Sequence, residues 1–231
     1  MRLFLKGKLT YTTLIGIKAL SAIFYRFNVS WVGETPPDPW SDLRLVLLLN
    51  HTSLYEPLFT GCLPNRFLKN IAQSGLIPVA DKTLSRHLIG YFYRIVAKNV
   101  VPITRLKDDT WEMFLRMVTP KAIVIMAPEG RMKRATGLDV EGKPMTVRGG
   151  VADIIQKISS GRMLIAYSGG LHHVQIPCQL IPKLFKTLHM KLENLDIAEY
   201  KNNILRICGR EKFKYGVITD LEKRRACYCE C

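Results

Sequence analysis

A run of five apolar residues that stops on Asn-His constrains this chain more than any other stretch. Residues 45–49 read Leu-Val-Leu-Leu-Leu, and Asn50 and His51 follow at once. So short and unbroken a run describes a strand buried on both faces, as in the middle of a parallel sheet. The end of such a strand lies at the carboxyl edge of the sheet, where open α/β folds place their sites. Glu56 comes shortly after His51, and Pro57 suits the first turn of a helix headed by Glu56. A strand end, a short loop and a carboxylate at a helix start can bring imidazole and carboxylate into hydrogen-bond reach. That is a base and the group that orients it. Glu56 also fits a plainer role, because Ser53-x-x-Glu56 scores as a capping box.

The rest of the chain alternates in the same manner. Residues 67–72, 100–104, 122–126 and 163–167 read as strands, with helices over 57–63, 84–97, 108–118 and 149–158. Residues 188–192 and 204–208 are weaker strand signals, and a last helix covers 216–226. Alternation at these lengths implies an α/β fold: a mostly parallel twisted sheet flanked by helices.

At 231 residues one domain is the default. The formal net charge of +15 calls for a polyanionic partner: nucleic acid, an anionic membrane face or a phosphorylated substrate. The chain shows no helix-turn-helix, zinc-finger or aromatic RNP-like pattern, which places nucleic acid last. The spacing of the six cysteines is no disulfide framework. Residues 1–33 carry Arg2, Lys6, Lys8, Lys18 and Arg26 with no acid before Glu34, and 9–27 are mostly apolar. This segment reads as a helix lying in or dipping into the membrane interface with its lysines toward anionic headgroups. A helix packed on the core is the other arrangement the pattern allows. A stiff Pro-rich connector follows, and residues 40–231 form the main domain.

Three strand ends carry chemistry: Asn50-His51 with Glu56, then Arg105, then Pro128-Glu129-Gly130-Arg131. Together, in this order, they resemble the glycerolipid acyltransferase family, whose best-known member is lysophosphatidic acid acyltransferase. Its first block, N-H-x-x-x-x-D, is matched by Asn50, His51 and Glu56. Its second, a hydrophobic strand followed by Arg, is matched by residues 101–105. Its third, F-P-E-G-T-R-S, is matched by Ala127, Pro128, Glu129 and Gly130. The resemblance covers about residues 44–170. It departs from the pattern where Glu56 replaces Asp, Arg131 replaces Thr and Met132 replaces Arg. The fourth block, at 165–170, matches poorly, which bears on the acceptor.

The resemblance implies a membrane-associated O-acyltransferase on the cytoplasmic face. It would move an acyl chain from acyl-CoA or acyl carrier protein to a hydroxyl of a lysophospholipid or related phosphorylated lipid. The acyl thioester is a co-substrate, and neither cofactor nor metal is expected. His51 would act as general base and Glu56 would orient it. No Ser or Cys sits in a nucleophile-elbow context, which points to direct transfer. Asn50, Arg105, Glu129, Gly130, Arg131 and Arg148 would form the substrate-binding shell, with the arginines suited to phosphate. Backbone N–H groups near Glu129 and Gly130 would serve the oxyanion. A basic membrane-binding protein without catalysis and an acyltransferase for a non-phospholipid acceptor are the competing readings. His172-His173 lack partners at ligand spacing and read as strand-end residues. The cysteines at 227, 229 and 231 read as a frayed tail.

Overall fold

The computed structural model describes residues 2–104, 108–176, 179 and 181–229. Helix α1 (Arg2–Phe24) leads into strand β1 (Arg26–Trp31), and β2 (Leu43–Leu49) is the central strand. A 3-10 helix (Glu56–Cys62), α2 (Asn65–Ser74), β3 (Gly75–Ala80), α3 (Asp81–Leu84), α4 (His87–Val96) and β4 (Asn99–Ile103) follow. Then come α5 (Asp109–Met117), β5 (Ile123–Met126), α6 (Gly150–Lys157), β6 (Arg162–Ser168), β7 (Thr187–Asp196), α7 (Ile197–Cys208) and α8 (Phe213–Tyr228).

One seven-stranded sheet runs β1-β7-β6-β2-β5-β3-β4. Strands β2 to β6 are mutually parallel, whereas β7 pairs antiparallel with β6 and parallel with β1. The expected mostly parallel α/β sheet with an N-terminal helix is therefore what the chain forms. One face of the sheet packs on α5 to α8 through Leu45, Leu47, Val124, Phe114, Ile155, Ile204 and Val217. The other packs on α1, the 3-10 helix, α2 and α4 through Val46, Leu164, Leu14, Phe59, Phe67 and Val96. From Leu45 onward strand β2 alternates between these two cores, which is why residues 45–49 show no polar position.

Two expected strands are helices. Residues 67–72 lie in α2, which buries Phe67, Leu68, Ile71 and Ala72. That is helical spacing, too brief in sequence to separate from a short apolar run. The strand is β3, whose Pro78 argues against it. However, β5 pairs with β3 only at Gly75 and Leu76, so Pro78 lies beyond that ladder. Residues 204–208 end α7, where Asp196 accepts from Glu199 N at the start and Ile197, Tyr200 and Ile204 are buried. The helix expected over 84–97 is α4, which starts only at His87, because Leu84 ends the separate short helix α3. Their close turn requires Gly90, because a Cβ there would stand 2.2 Å from Leu84 O.

The segment 1–33 is likewise divided. Its helix stops at Phe24, and β1 joins the same sheet as the rest of the chain by pairing with β7. Helix α1 packs on the 3-10 helix, α2 and α4. Lys18 turns inward and donates to Leu63 O and Asn65 Oδ1, each at 2.7 Å, and Ser21 Oγ donates to Leu58 O. The opposite face leaves Leu5, Leu9, Leu20 and Ile23 exposed, at helical spacing. Among the described residues, no helix is long and apolar enough to cross a membrane.

Candidate active site

Strands β2 and β5 are neighbours in register, Leu47 opposite Met126, so their carboxyl ends share one edge. The chain leaves β2 toward the 3-10 helix on one face of the sheet and leaves β5 toward α6 on the other. Divergence of adjacent connections opens a crevice at such a point. It holds a cavity of about 900 Å³, lined by His51, Glu56, Glu129, Gly130, Arg131, Arg148 and many apolar side chains.

Chain direction reverses sharply after Leu49. Asn50 takes a left-handed backbone conformation, φ 65°, which Asn tolerates better than most residues. Its amide Nδ2 donates to Ser168 O at 2.9 Å. The buried Glu129 carboxylate accepts from Asn50 N at 2.8 Å and from His51 N at 3.1 Å. The turn is thereby held from both neighbouring strands. Thr52 Oγ1 accepts from Leu171 N, and Ser53 Oγ donates to Gln175 Oε1. These four supports, from Ser168, Glu129, Leu171 and Gln175, arrive from distant parts of the sequence.

His51 Nδ1 lies 2.6 Å from Glu56 Oε2, and Glu56 Oε1 accepts from Thr52 N at 3.1 Å. A carboxylate accepts, so Nδ1 carries the proton and Nε2 is the basic nitrogen. Among the described residues Nε2 has no hydrogen-bond partner. Burial pushes the imidazole pKa down, but the charge of Glu56, its hydrogen bond and the charge of Glu129 raise it above the ordinary histidine value. Burial pushes the Glu129 carboxyl up, and the two backbone N–H groups, His51 and Arg225 only partly offset it. Tyr93 of α4, on the cavity wall, is pushed up to about 12 by burial and then by Glu56.

The cavity has two kinds of wall. Leu14, Val46, Phe67, Ile71, Leu164, Ala166, Met190 and Leu192 line it between the sheet and α1 and α2. Trp111, Arg131, Arg134, Arg148, Asp153 and Lys214 line it toward α5, α6 and α8. Lys214 and the Trp111 indole both bind Asp153. Arg131 reaches the cavity with its charge already paired to Asp139 and to Glu141 Oε2, the latter at 2.9 Å. Asp139 also accepts from Glu141 N and Lys143 N, and these contacts hold its carboxyl down at about 2. Arg148 is exposed, and among the described residues neither its guanidinium nor that of Arg134 has a polar partner.

Of the residues singled out in the sequence, Asn50, His51, Glu56, Glu129, Gly130, Arg131 and Arg148 converge on this crevice. Arg105 lies outside the described residues. Strand β4, which precedes it, ends at the same edge, two strands beyond β5. Gly130 N donates to Ala127 O to close its turn at φ 65°, so it is not free for an oxyanion. The N–H groups of Arg131 and Met132 take no partner among the described residues. His172 and His173 bind the carbonyls of Lys133 and Thr187 through Nε2. Cys62 is pushed up to about 11 by burial, which leaves it a poor nucleophile. Sequence reading missed Ser168, Gln175 and Arg225, which reach the site only through folding.

No family model matches the chain, and no curated protein matches it. Among solved structures it is similar to the crystal structure of the 1-acyl-sn-glycerophosphate (LPA) acyltransferase PlsC from Thermotoga maritima. The TM-score is 0.49 at 18% sequence identity, covering 95% of this chain and 79% of that one.

Proposed function

We propose that this chain is a membrane-associated O-acyltransferase that moves an acyl group from a thioester, acyl-CoA or acyl carrier protein, to a hydroxyl of a lysophospholipid or related phosphorylated lipid. The observation that carries the reading is the 2.6 Å contact between His51 and Glu56 at the meeting of an apolar and a basic wall. An acyl chain suits the first wall and a phosphate suits the second.

The chemistry runs without a covalent enzyme intermediate. The acceptor oxygen attacks the thioester carbon while His51 Nε2 takes its proton. Glu56 keeps Nδ1 protonated and stabilises the imidazolium. The tetrahedral oxyanion needs donors, and the uncommitted N–H groups of Arg131 and Met132 supply them on the loop after β5. The C–S bond then breaks, and the imidazolium returns its proton to the leaving thiolate. Arg148 and Arg134 hold the acceptor's phosphate, with Arg105 assigned to the same task from sequence. Arg131 organises the loop through Asp139 and Glu141.

Membrane association rests on the outer face of α1. Leu5, Leu9, Leu20 and Ile23 are more than half exposed, and Lys6 and Lys8 flank them. A fully buried aliphatic side chain contributes about 1.5–3 kcal/mol, so four in a bilayer interface contribute several. Lys18, the charge that spoils a spanning helix, faces the protein. The test is transfer from both thioester donors to a panel of lysophospholipids presented in anionic vesicles. Turnover of a phosphorylated acceptor is expected. Vesicle binding without any transfer would leave only the non-catalytic reading.

A further inference from the structure

The C-terminal helix reaches the crevice through a pair of side chains that no motif marks. Arg225 of α8 places Nη1 3.4 Å from Glu129 Oε1. Its Nη2 donates to Met145 O at 2.9 Å and also pairs with Glu222 on the preceding turn. Glu222 in turn accepts from Val147 N through its other oxygen. Arg148 N donates to Pro128 O and closes the excursion that began at β5. Glu129 is 1% exposed and Arg225 has a side chain 21% exposed, so the contact is screened little by water.

We propose that Arg225 is a positioning residue for catalysis: it fixes the Glu129 carboxylate that holds the Asn50–His51 turn, and with Glu222 it ties both ends of the 129–147 loop to α8. The carboxylate has three kinds of donor and two oxygens, and it stays in place only while ionised. A protonated Glu129 turns one acceptor oxygen into a hydroxyl, and the N–H of Asn50 or His51 loses its partner. Burial already favours that protonation. Arg225 opposes it from α8, and His51 opposes it from the β2 end. His51 is itself faced by Glu56 from the 3-10 helix, which Tyr93 of α4 also faces. Loss of Arg225 therefore removes charge from a site that the residue does not enter. Lys133 N donates to His51 O at 2.7 Å, so movement of the loop would also pull directly on the base.

The kinetic arm of the test rests on the acyl-transfer reading, and the spectroscopic arm does not. Arg225→Met and Arg225→Lys are made in the full chain, with Glu129→Gln to identify the Glu129 carboxyl signal by carbon-13 NMR. In Arg225→Met, kcat is expected to fall by about 10²-fold, the cost of misplacing a catalytic group by an ångström. KM for the thioester stays at the wild-type value. The acid limb of the kcat profile moves to higher pH, and the Glu129 carboxyl titrates at higher pH. Lysine keeps the charge but cannot span Glu129 and Met145 together. Its acid limb stays at the wild-type position, while kcat falls less than in Arg225→Met. If Arg225→Met does not fold, the kcat fall in Arg225→Lys at unchanged KM carries the test. An Arg225→Met enzyme with wild-type kcat per folded molecule and an unmoved Glu129 titration would overturn the proposal. So would a thermal shift alone, with both profiles unchanged. Wild-type protein inactive on every acceptor would sink the acyl-transfer reading and leave the Glu129 titration to decide this one.

Discussion

Replacement of Glu56 by Gln changes one atom and tests how the base is built. Glu56 accepts twice, from His51 Nδ1 at 2.6 Å and from Thr52 N at 3.1 Å, and it is 9% exposed. Glutamine can accept with only one of its two terminal atoms. If its NH₂ faces the ring, Nδ1 must become the acceptor. The proton then moves to Nε2, and no basic nitrogen points to the substrate. If its NH₂ faces Thr52, two buried donors oppose each other, at about 1–3 kcal/mol. A charge-assisted hydrogen bond is lost in both cases, about 1.5–3 kcal/mol. At about 1.4 kcal/mol per decade that alone slows turnover about 10–100-fold. The tautomer error extends the loss toward the full value of positioned base catalysis, about 10²–10⁴-fold.

The pH profile of the Glu56→Gln variant gives an independent sign. The proposed base works neutral, so the rate is expected to rise as His51 loses its proton, above the ordinary histidine value in the wild type. In Glu56→Gln the two largest raising influences are gone and burial remains, so the acid limb moves to lower pH. The stability that this raised pKa lends is complete below the unfolded histidine value and fades as pH rises through the folded one. The variant's stability deficit is therefore greatest at acid pH. The assay follows thiol release from the thioester donor at saturating acceptor, with unfolding monitored by circular dichroism. Unchanged kcat with an unmoved acid limb would refute the pairing of base and orienter.

Other consequences follow from separate contacts. Arg148→Ala raises KM for a phosphorylated acceptor with little change in kcat, and added salt raises KM in the wild type as the phosphate contact is screened; a salt-independent KM counts against the assignment. Leu20→Glu with Ile23→Glu leaves circular dichroism unchanged but releases the protein from anionic vesicles in a flotation assay; retained flotation would move membrane contact elsewhere. Asp139→Ala removes one of the two carboxylates on Arg131 and frees two backbone N–H groups, so trypsin cleavage after Arg134, which Ala135 follows, accelerates on a gel time course. Gly61→Ala places a Cβ 2.2 Å from Phe27 Cζ, between the 3-10 helix and β1, and lowers the thermal midpoint, whereas an unchanged midpoint would show that Phe27 yields freely.

The parts of the site that were legible in the sequence are those where a buried strand ends abruptly. Residues 45–49 and 122–126 have no polar position because each contacts helices on both faces, and the first charged residues beyond them mark the edge of the sheet. His51, Glu56 and Glu129 could be read in that way. The segment 67–72 could not, because two apolar pairs one turn apart fit strand and helix equally until burial chooses. Strand β1 alternates polar and apolar residues, but it follows the apolar helix almost without a break, and Phe27 also continues that helix's spacing. Arg225, Ser168 and Gln175 leave no local signal. They act across 96 residues or more, and only the packing of the whole fold brings them to Glu129, Asn50 and Ser53.

In the proposed function His51 removes the acceptor's proton during acyl transfer. Purified His51→Ala, assayed beside wild type for transfer to a lysophospholipid and for flotation with the same vesicles, tests it most directly. Flotation equal to wild type and loss of transfer by about 10²-fold or more are expected. Transfer at the wild-type rate by folded His51→Ala would contradict it.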